Sequence, residues 1–481
     1  MLFNSFTFMI FLPVVFLLYW FVFKKLRWQN LLILVASYVF YGWWDWRFLL
    51  LIVITSASSF ASGLAIGHYE GRRRVQKAVS AANIVLNLGI LATFKYFNFF
   101  VDSLSSLLAL FGLTADWPTL HVILPVGISF YTFQALSYSI DVYARRIRPT
   151  RDAVAFFSFI SFFPQLVAGP IERATSLLPQ MLRERRFDYC QAVDGLRQML
   201  WGFFKKLVIA DGCAEVVNQT WASIDSATGL MLLVVSLLFT FQIYTDFSGY
   251  SDIAIGCAKL FGFRLTTNFR VPYFSRNVRE FWRRWHITLM NWFTQYVYFP
   301  LGGSRRGRGR TIVNTLIVFA LSGLWHGADW TFVLWGLYHA LLFIPLIILG
   351  SRRYKDTVAA GRLLPSWREL AGMLVTFLLV NLGWVLFRAP DVTSLGAYVS
   401  RLFSPSLFTL SGLTKPMAVM VLWCIGLLLV EWLQRERDHV LELDGYRLFA
   451  SRPSRLAVYA GLVCLIFYFA GSVQTFIYFQ F

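Results

Sequence analysis

The chain of 481 residues is 57% hydrophobic, 18% aromatic and only 14% charged, with a net charge of +19. A soluble chain of this size needs far more charge on its surface, and apolar runs of about twenty residues, each long enough to cross a bilayer as helix, recur along its length. A soluble enzyme is excluded, no nucleic-acid partner is needed to explain the basic surplus, and a transmembrane β-barrel is excluded because the runs do not alternate.

The first run, Leu2 to Val22, has neither a basic start nor a small-residue cleavage pattern, so it reads as a retained first span rather than a signal peptide. Basic clusters punctuate the rest of the chain: Lys24, Lys25 and Arg27; Arg72, Arg73, Arg74 and Lys77; Arg145, Arg146, Arg148 and Arg151; Arg305 to Arg310; Arg352 to Lys355; Arg435 and Arg437. The positive-inside bias puts these loops in the cytoplasm and both termini outside, and the net charge then reflects topology and anionic headgroups. Two segments fit less simply. Ala153 to Ile171 and Ile287 to Gly303 have basic residues on both sides and carry helix breakers, Pro164, Gly169 and Pro170 in one and Pro300 in the other. Each either crosses against the bias or dips in and returns. Irregular backbone at membrane depth must be covered by protein or water, so re-entrance implies a polar cavity. The stretch "YCQAVDGLRQMLWGFFKKLVIADG" either lies in the interface or crosses with Lys205 and Lys206 snorkelling. The expected fold is an all-α, polytopic transmembrane bundle of about eleven or twelve spans, forming one membrane domain over residues 1–481.

Five cysteines without CxxC spacing suggest neither a zinc site nor a disulfide framework. Of six histidines, His68 and His439 stand among charges and read as solvated. His121 opens a span at its outer end, and His339, in "LWGLYHALLF", reads as a packed, hydrogen-bonded ring. The other two carry more interest. His286 ends "REFWRRWH", where Arg283 and Arg284 beside Trp285 suit a phosphate-bearing donor; an interfacial belt of aromatic and basic residues is the competing reading. His326 lies in "LSGLWHGADW", at the end of a long apolar run. An ionisable group at that depth is costly unless it is used or satisfied, and an imidazole kept uncharged can take a proton from a hydroxyl as general base. A structural histidine bonded to a neighbouring helix is the alternative. Gly323 and Gly327 would let backbone or substrate approach it closely. The segment "FQIYTDFSGYSD" places Asp246 and Asp252 among hydroxyls. A cation site or proton relay is open there, but a hydrogen-bonded cavity floor is favoured.

These stretches, with "LPVGISFYTFQALSYSIDVY", "FFPQLVAGPI", "EFWRRWHITLMNWF", "YFPLGG" and "GWVLFRA", resemble in their order the membrane-bound O-acyltransferase family, and more narrowly its bacterial branch that O-acetylates alginate. The resemblance implies a helical bundle with re-entrant segments around a central tunnel, in the cell inner membrane. It implies that His326 is the signature catalytic histidine and His286 a second one, with Arg283, Arg284 and Trp285 at the donor. It further implies no permanently bound cofactor and no metal. The donor would be a cytoplasmic thioester, acetyl-CoA, and the acceptor an extracytoplasmic polysaccharide, reached directly or through a periplasmic acetyltransferase partner. Apolar runs beyond "GWVLFRA", at Pro416 to Trp432 and Leu456 to Phe481, favour this reading over D-alanyl or other acyl transfer to a surface polymer. A transporter of an acyl compound, relying on Asp246, Asp252 and His326, is the alternative of another class.

Overall fold

The computed structural model describes residues 1–113, 117, 119–120, 124–350, 354, 356–443, 446, 449, 451–469, 471 and 474–477. His121, Arg352, Arg353 and Lys355 lie outside the described residues, as does part of the final apolar run. Among the described residues every regular element is a helix, as the sequence predicts. Among the described residues, seven helices are long and apolar enough to cross a membrane: Trp46–His68, Arg73–Ala109, Gly229–Leu260, Trp330–Ile348, Trp367–Arg388, Lys415–Leu433 and Arg452–Phe469. Phe6–Val22 and Ala153–Leu166 are apolar but shorter. The larger count from the sequence includes runs that fold into shorter or more polar helices, such as Ile128–Tyr143, with 16 residues, and Gly307–His326, whose first turn carries Arg308 and Arg310.

The chain forms two compact units, one of residues 1–193 and 257–266, the other of residues 194–256 and 267–481. In the first, small and hydroxyl-bearing residues line the buried face of Leu49–His68 (Ser56, Ser59, Ser62 and Gly63). Gly63 lies against the Tyr138 ring, where a Cβ would sit 2.6 Å from its hydroxyl, and Ser62 bonds Ser139 across the same contact at 3.0 Å. Small residues let helix backbones approach, and interhelical hydrogen bonds fix them, where lipid supplies no hydrophobic drive. Both segments suspected of re-entrance are broken helices. Ala153–Ser161 stops at Phe162, restarts for four residues at Phe163–Leu166 with Pro164 in its first turn, and gives way to irregular chain up to Ala174. Ile287–Phe293 passes into a wide π-type turn, Thr294–Tyr298, and then into turns through Gly303.

The second unit is organised by an aromatic core. Trp282, Trp285, Trp335 and Trp384 are all buried, with ring centroids 4.7 Å apart for Trp285 and Trp384 and 5.7 Å for Trp335 with either Trp282 or Trp384. The hairpin of Gly307–His326 and Trp330–Ile348 closes on this core. Asp329 caps its second helix by accepting from Thr331 N at 2.8 Å. Glycines set the spacing between the two helices: a Cβ on Gly323 would meet Phe332 O at 2.2 Å, and one on Gly336 would meet Phe319 O at 2.2 Å.

Candidate active site

His326 is the last residue of the Gly307–His326 helix, followed by an extended Gly327. Its ring is buried between Trp325, Trp335 and Phe387, at centroid distances of 5.0, 5.1 and 5.4 Å. The flanking glycines serve packing: a Cβ on Gly327 would fall 2.1 Å from the Phe332 ring. The close approach at Gly323 is made by the Phe332 backbone and that at Gly327 by the Phe332 ring.

His286 occupies the corner between the short helices Val278–Arg284 and Ile287–Phe293, at φ 42° and ψ 52°. A residue with a Cβ reaches this left-handed region at a cost of about 1–3 kcal/mol, met only where the surroundings over-determine it. Here Asn268 does so. Its backbone oxygen accepts from Ile287 N at 2.9 Å, and its side-chain Oδ1 lies 3.0 Å from His286 Nδ1. Because Oδ1 also accepts from Thr288 N and Oγ1, while Nδ2 donates to Ser251 Oγ at 3.2 Å, the amide orientation is fixed. Nδ1 of His286 is therefore the protonated nitrogen and Nε2 carries the lone pair. Trp325 lies against both histidines, 5.9 Å from the His286 ring and 5.0 Å from that of His326.

A cavity of about 410 Å³ opens beside this arrangement, and Asn268 forms part of its wall. Neither histidine is among its lining residues. Five arginines line it, Arg270, Arg283, Arg284, Arg435 and Arg437, together with Lys205 and the carboxylates of Asp252, Glu280, Glu431, Glu436 and Asp438. Arg284 is held by Glu280 at 2.9 Å, whereas Arg283 is exposed and bonds only weakly to Tyr354 O, at 3.4 Å. Trp285 does not reach the cavity. It is 1% exposed and stacks within the aromatic core, as Trp282 does at 4%, so these tryptophans form neither a donor wall nor an interfacial belt.

Tyr244, Ser248, Ser251 and Asp252 of "FQIYTDFSGYSD" line the cavity with Lys205, whereas Lys206 and Asp246 pair outside its lining. Lys205 reaches Asp252 at 2.6 Å and Ser248 Oγ at 2.8 Å; Lys206 reaches Asp211 at 2.7 Å and Asp246 at 2.8 Å. Neither lysine snorkels: both are buried and each takes its own carboxylate from the long helix Gly229–Leu260. Tyr244 donates to Glu431 at 2.7 Å, and both line the cavity. Both carboxylates of this segment are thus taken up in ion pairs, and Asp252 is the one that lines the cavity. His439 corrects a second expectation: it is buried, not solvated, lies 2.7 Å from Asp194 and lines the cavity. His339 is packed as expected, accepting from Trp282 Nε1 at 3.4 Å. Asn268, Glu431 and His439 were not legible as site residues. Nothing in their own stretches marked them, and the partners of Glu431 and His439, Tyr244 and Asp194, lie far away in the chain.

A polytopic helical membrane protein with a polar, arginine-bearing cavity beside two buried histidines is the class that the fold and site define. The profile of the membrane-bound O-acyltransferase family matches residues 144–355. The chain is 38% identical to a probable alginate O-acetylase of Azotobacter vinelandii over 94% of its own length and 86% of the relative's. It is 30% identical to a peptidoglycan O-acetyltransferase of Helicobacter pylori over 100% of its length and 98% of the relative's. A teichoic acid D-alanyltransferase of Bacillus subtilis is 26% identical over 59% of this chain and 76% of that one. The chain belongs to the membrane-bound O-acyltransferase family, and it is an O-acyltransferase of the membrane.

Proposed function

We propose that this enzyme moves an acetyl group from acetyl-CoA on the cytoplasmic side of the inner membrane to an extracytoplasmic polysaccharide of the alginate type, directly or by way of a periplasmic acetyltransferase. One observation carries the reading: Asn268 lines the arginine-bearing cavity and also holds His286, and a single tryptophan joins His286 to His326. Arg283, exposed at the cavity while Arg284 is held by Glu280, suits a phosphate of the donor. The accepting hydroxyl attacks the thioester carbonyl, the C–S bond breaks, and the hydroxyl proton passes to His326 and from there to the departing thiolate, which leaves as the thiol. His286, with its lone pair set on Nε2 by Asn268, orients the thioester.

The test supplies acetyl-labelled CoA to membranes and follows label into polymer or partner. His326→Ala is expected to lower transfer by at least about 100-fold with insertion unchanged, the scale of a lost general base. His286→Asn keeps a residue that tolerates the left-handed backbone, and it is expected to lose transfer about 10-fold or more. Wild-type transfer in the His326→Ala protein would overturn the assignment. D-alanyl transfer has its own support in the Bacillus subtilis relative. Carrier-bound D-alanine offered in competition with acetyl-CoA separates the two donors.

A further inference from the structure

In the first unit, the span that starts at Trp46 ends at His68, and the next span starts at Arg73. A cavity of about 850 Å³ lies there, walled by these helix ends and by the loop after Ile128–Tyr143. The loop is held in place. Arg145 takes φ 59°, Arg146 N bonds Asp141 O at 2.8 Å, and Thr150 N bonds Tyr138 Oη at 3.1 Å. Pro149 packs on Gly67 so closely that a Cβ there would meet its ring at 2.7 Å. Arg146 turns away to pair with the buried Asp141 at 2.9 Å. Arg145, Arg148 and Arg151 are left at the cavity, none making an ion pair among the described residues, against one lining carboxylate, Glu70.

A second observation is independent of the charge. Gln76 lines the same cavity and is 5% exposed. Its Nε2 donates to Ile66 O at 2.9 Å, but its Oε1 has no hydrogen-bond partner among the described residues. A buried amide oxygen calls for a donor, and three guanidiniums call for a phosphate. Leu64, Ile66, Val142 and Ile147 make much of the remaining wall apolar, with His68 beside them, and the cavity sits where one candidate span ends and the next begins, the position in which basic residues meet anionic headgroups. We infer that the cavity binds an anionic glycerophospholipid, phosphatidylglycerol, with its phosphodiester on Arg145, Arg148 and Arg151 and a headgroup hydroxyl donating to Gln76 Oε1.

The purified full-length protein in neutral detergent is heated with added dioleoyl-phosphatidylglycerol, dioleoyl-phosphatidylcholine, dioleoyl-phosphatidic acid or inorganic pyrophosphate. Phosphatidylglycerol is expected to raise the unfolding midpoint and phosphatidylcholine to leave it unchanged. The double variant Arg148→Gln, Arg151→Gln, altered at two exposed side chains, is expected to weaken the phosphatidylglycerol effect by about tenfold, the order expected from lost charge-assisted bonds. Gln76→Leu is expected to weaken phosphatidylglycerol but not phosphatidic acid, which lacks the glycerol hydroxyls. Equal stabilisation by phosphatidylcholine, or an unchanged response in the arginine variant, would overturn the inference. So would a Gln76→Leu protein that binds phosphatidylglycerol normally, or pyrophosphate displacing the lipid.

Discussion

Lys205 and Lys206 are neighbours in sequence, yet they complete two separate ion pairs, with Asp252 and with Asp246. From the sequence each charge is visible as an anomaly in an apolar run, but the pairing is not, because some forty residues separate the partners. The same holds for His439, whose surroundings in sequence are charged while its actual neighbour is Asp194. The surroundings of His326 were more legible, since Trp325 of its own motif packs on it, whereas the rings against His286, Phe247, Phe269 and Trp325, all come from outside its motif. The buried pairs make a stability prediction. Removing one partner strands a charge, at a cost of about 3–5 kcal/mol. Lys206→Met leaves Asp211 and Asp246 without their cation, and is expected to lower the unfolding midpoint sharply. Adding Asp211→Asn and Asp246→Asn is expected to recover much of the loss. Thermal unfolding followed by tryptophan fluorescence checks both, and an unaltered midpoint in Lys206→Met would show that these pairs do not hold the second unit together.

The hairpin of Gly307–His326 and Trp330–Ile348 shows how one element sets the position of the proposed base. Its spacing depends on Gly323 and Gly336, each packed with the opposing backbone oxygen where a side chain would be. Apolar periodicity predicts that these helices exist; it says little about how near they come, since the close approach depends on atoms that glycine lacks. In a helix alanine is ordinarily preferred to glycine by about 0.5–1 kcal/mol, so a gain from Gly336→Ala would be the naive expectation. The clash of the added Cβ with Phe319 O, at 2.2 Å, reverses it. Gly336→Ala is expected to separate the helices, shift His326 against Trp335, and reduce acyl transfer by more than the stability loss alone accounts for. Transfer measured per folded molecule, well below the unfolding midpoint, isolates that effect; normal transfer there would show that the hairpin spacing is not coupled to the site.

At the scale of the whole chain, composition sufficed for the helical membrane class, while the path of the chain through the bilayer depends on breaks that composition does not register. Ala153–Ser161 has nine residues and rises about 14 Å, half of a hydrocarbon core of about 30 Å. Even the 14 residues from Ala153 to Leu166 would reach only about 21 Å if continuous, and Phe162 breaks them. A segment this short, with Arg145 to Arg151 before it and Arg183, Arg185 and Arg186 after it, satisfies the positive-inside bias if it returns to the side it left. Cys190, exposed and a few residues beyond the second cluster, reports which side that is. In sealed cells carrying the protein with Cys464→Ser, the other exposed cysteine removed, a membrane-impermeant maleimide is expected to leave Cys190 unlabelled until the inner membrane is permeabilised. Cysteines placed at Arg148 and at Arg186 are expected to show the same pattern as each other. If Arg148→Cys needs permeabilisation and Arg186→Cys does not, the segment crosses, and the case for re-entrance there is lost.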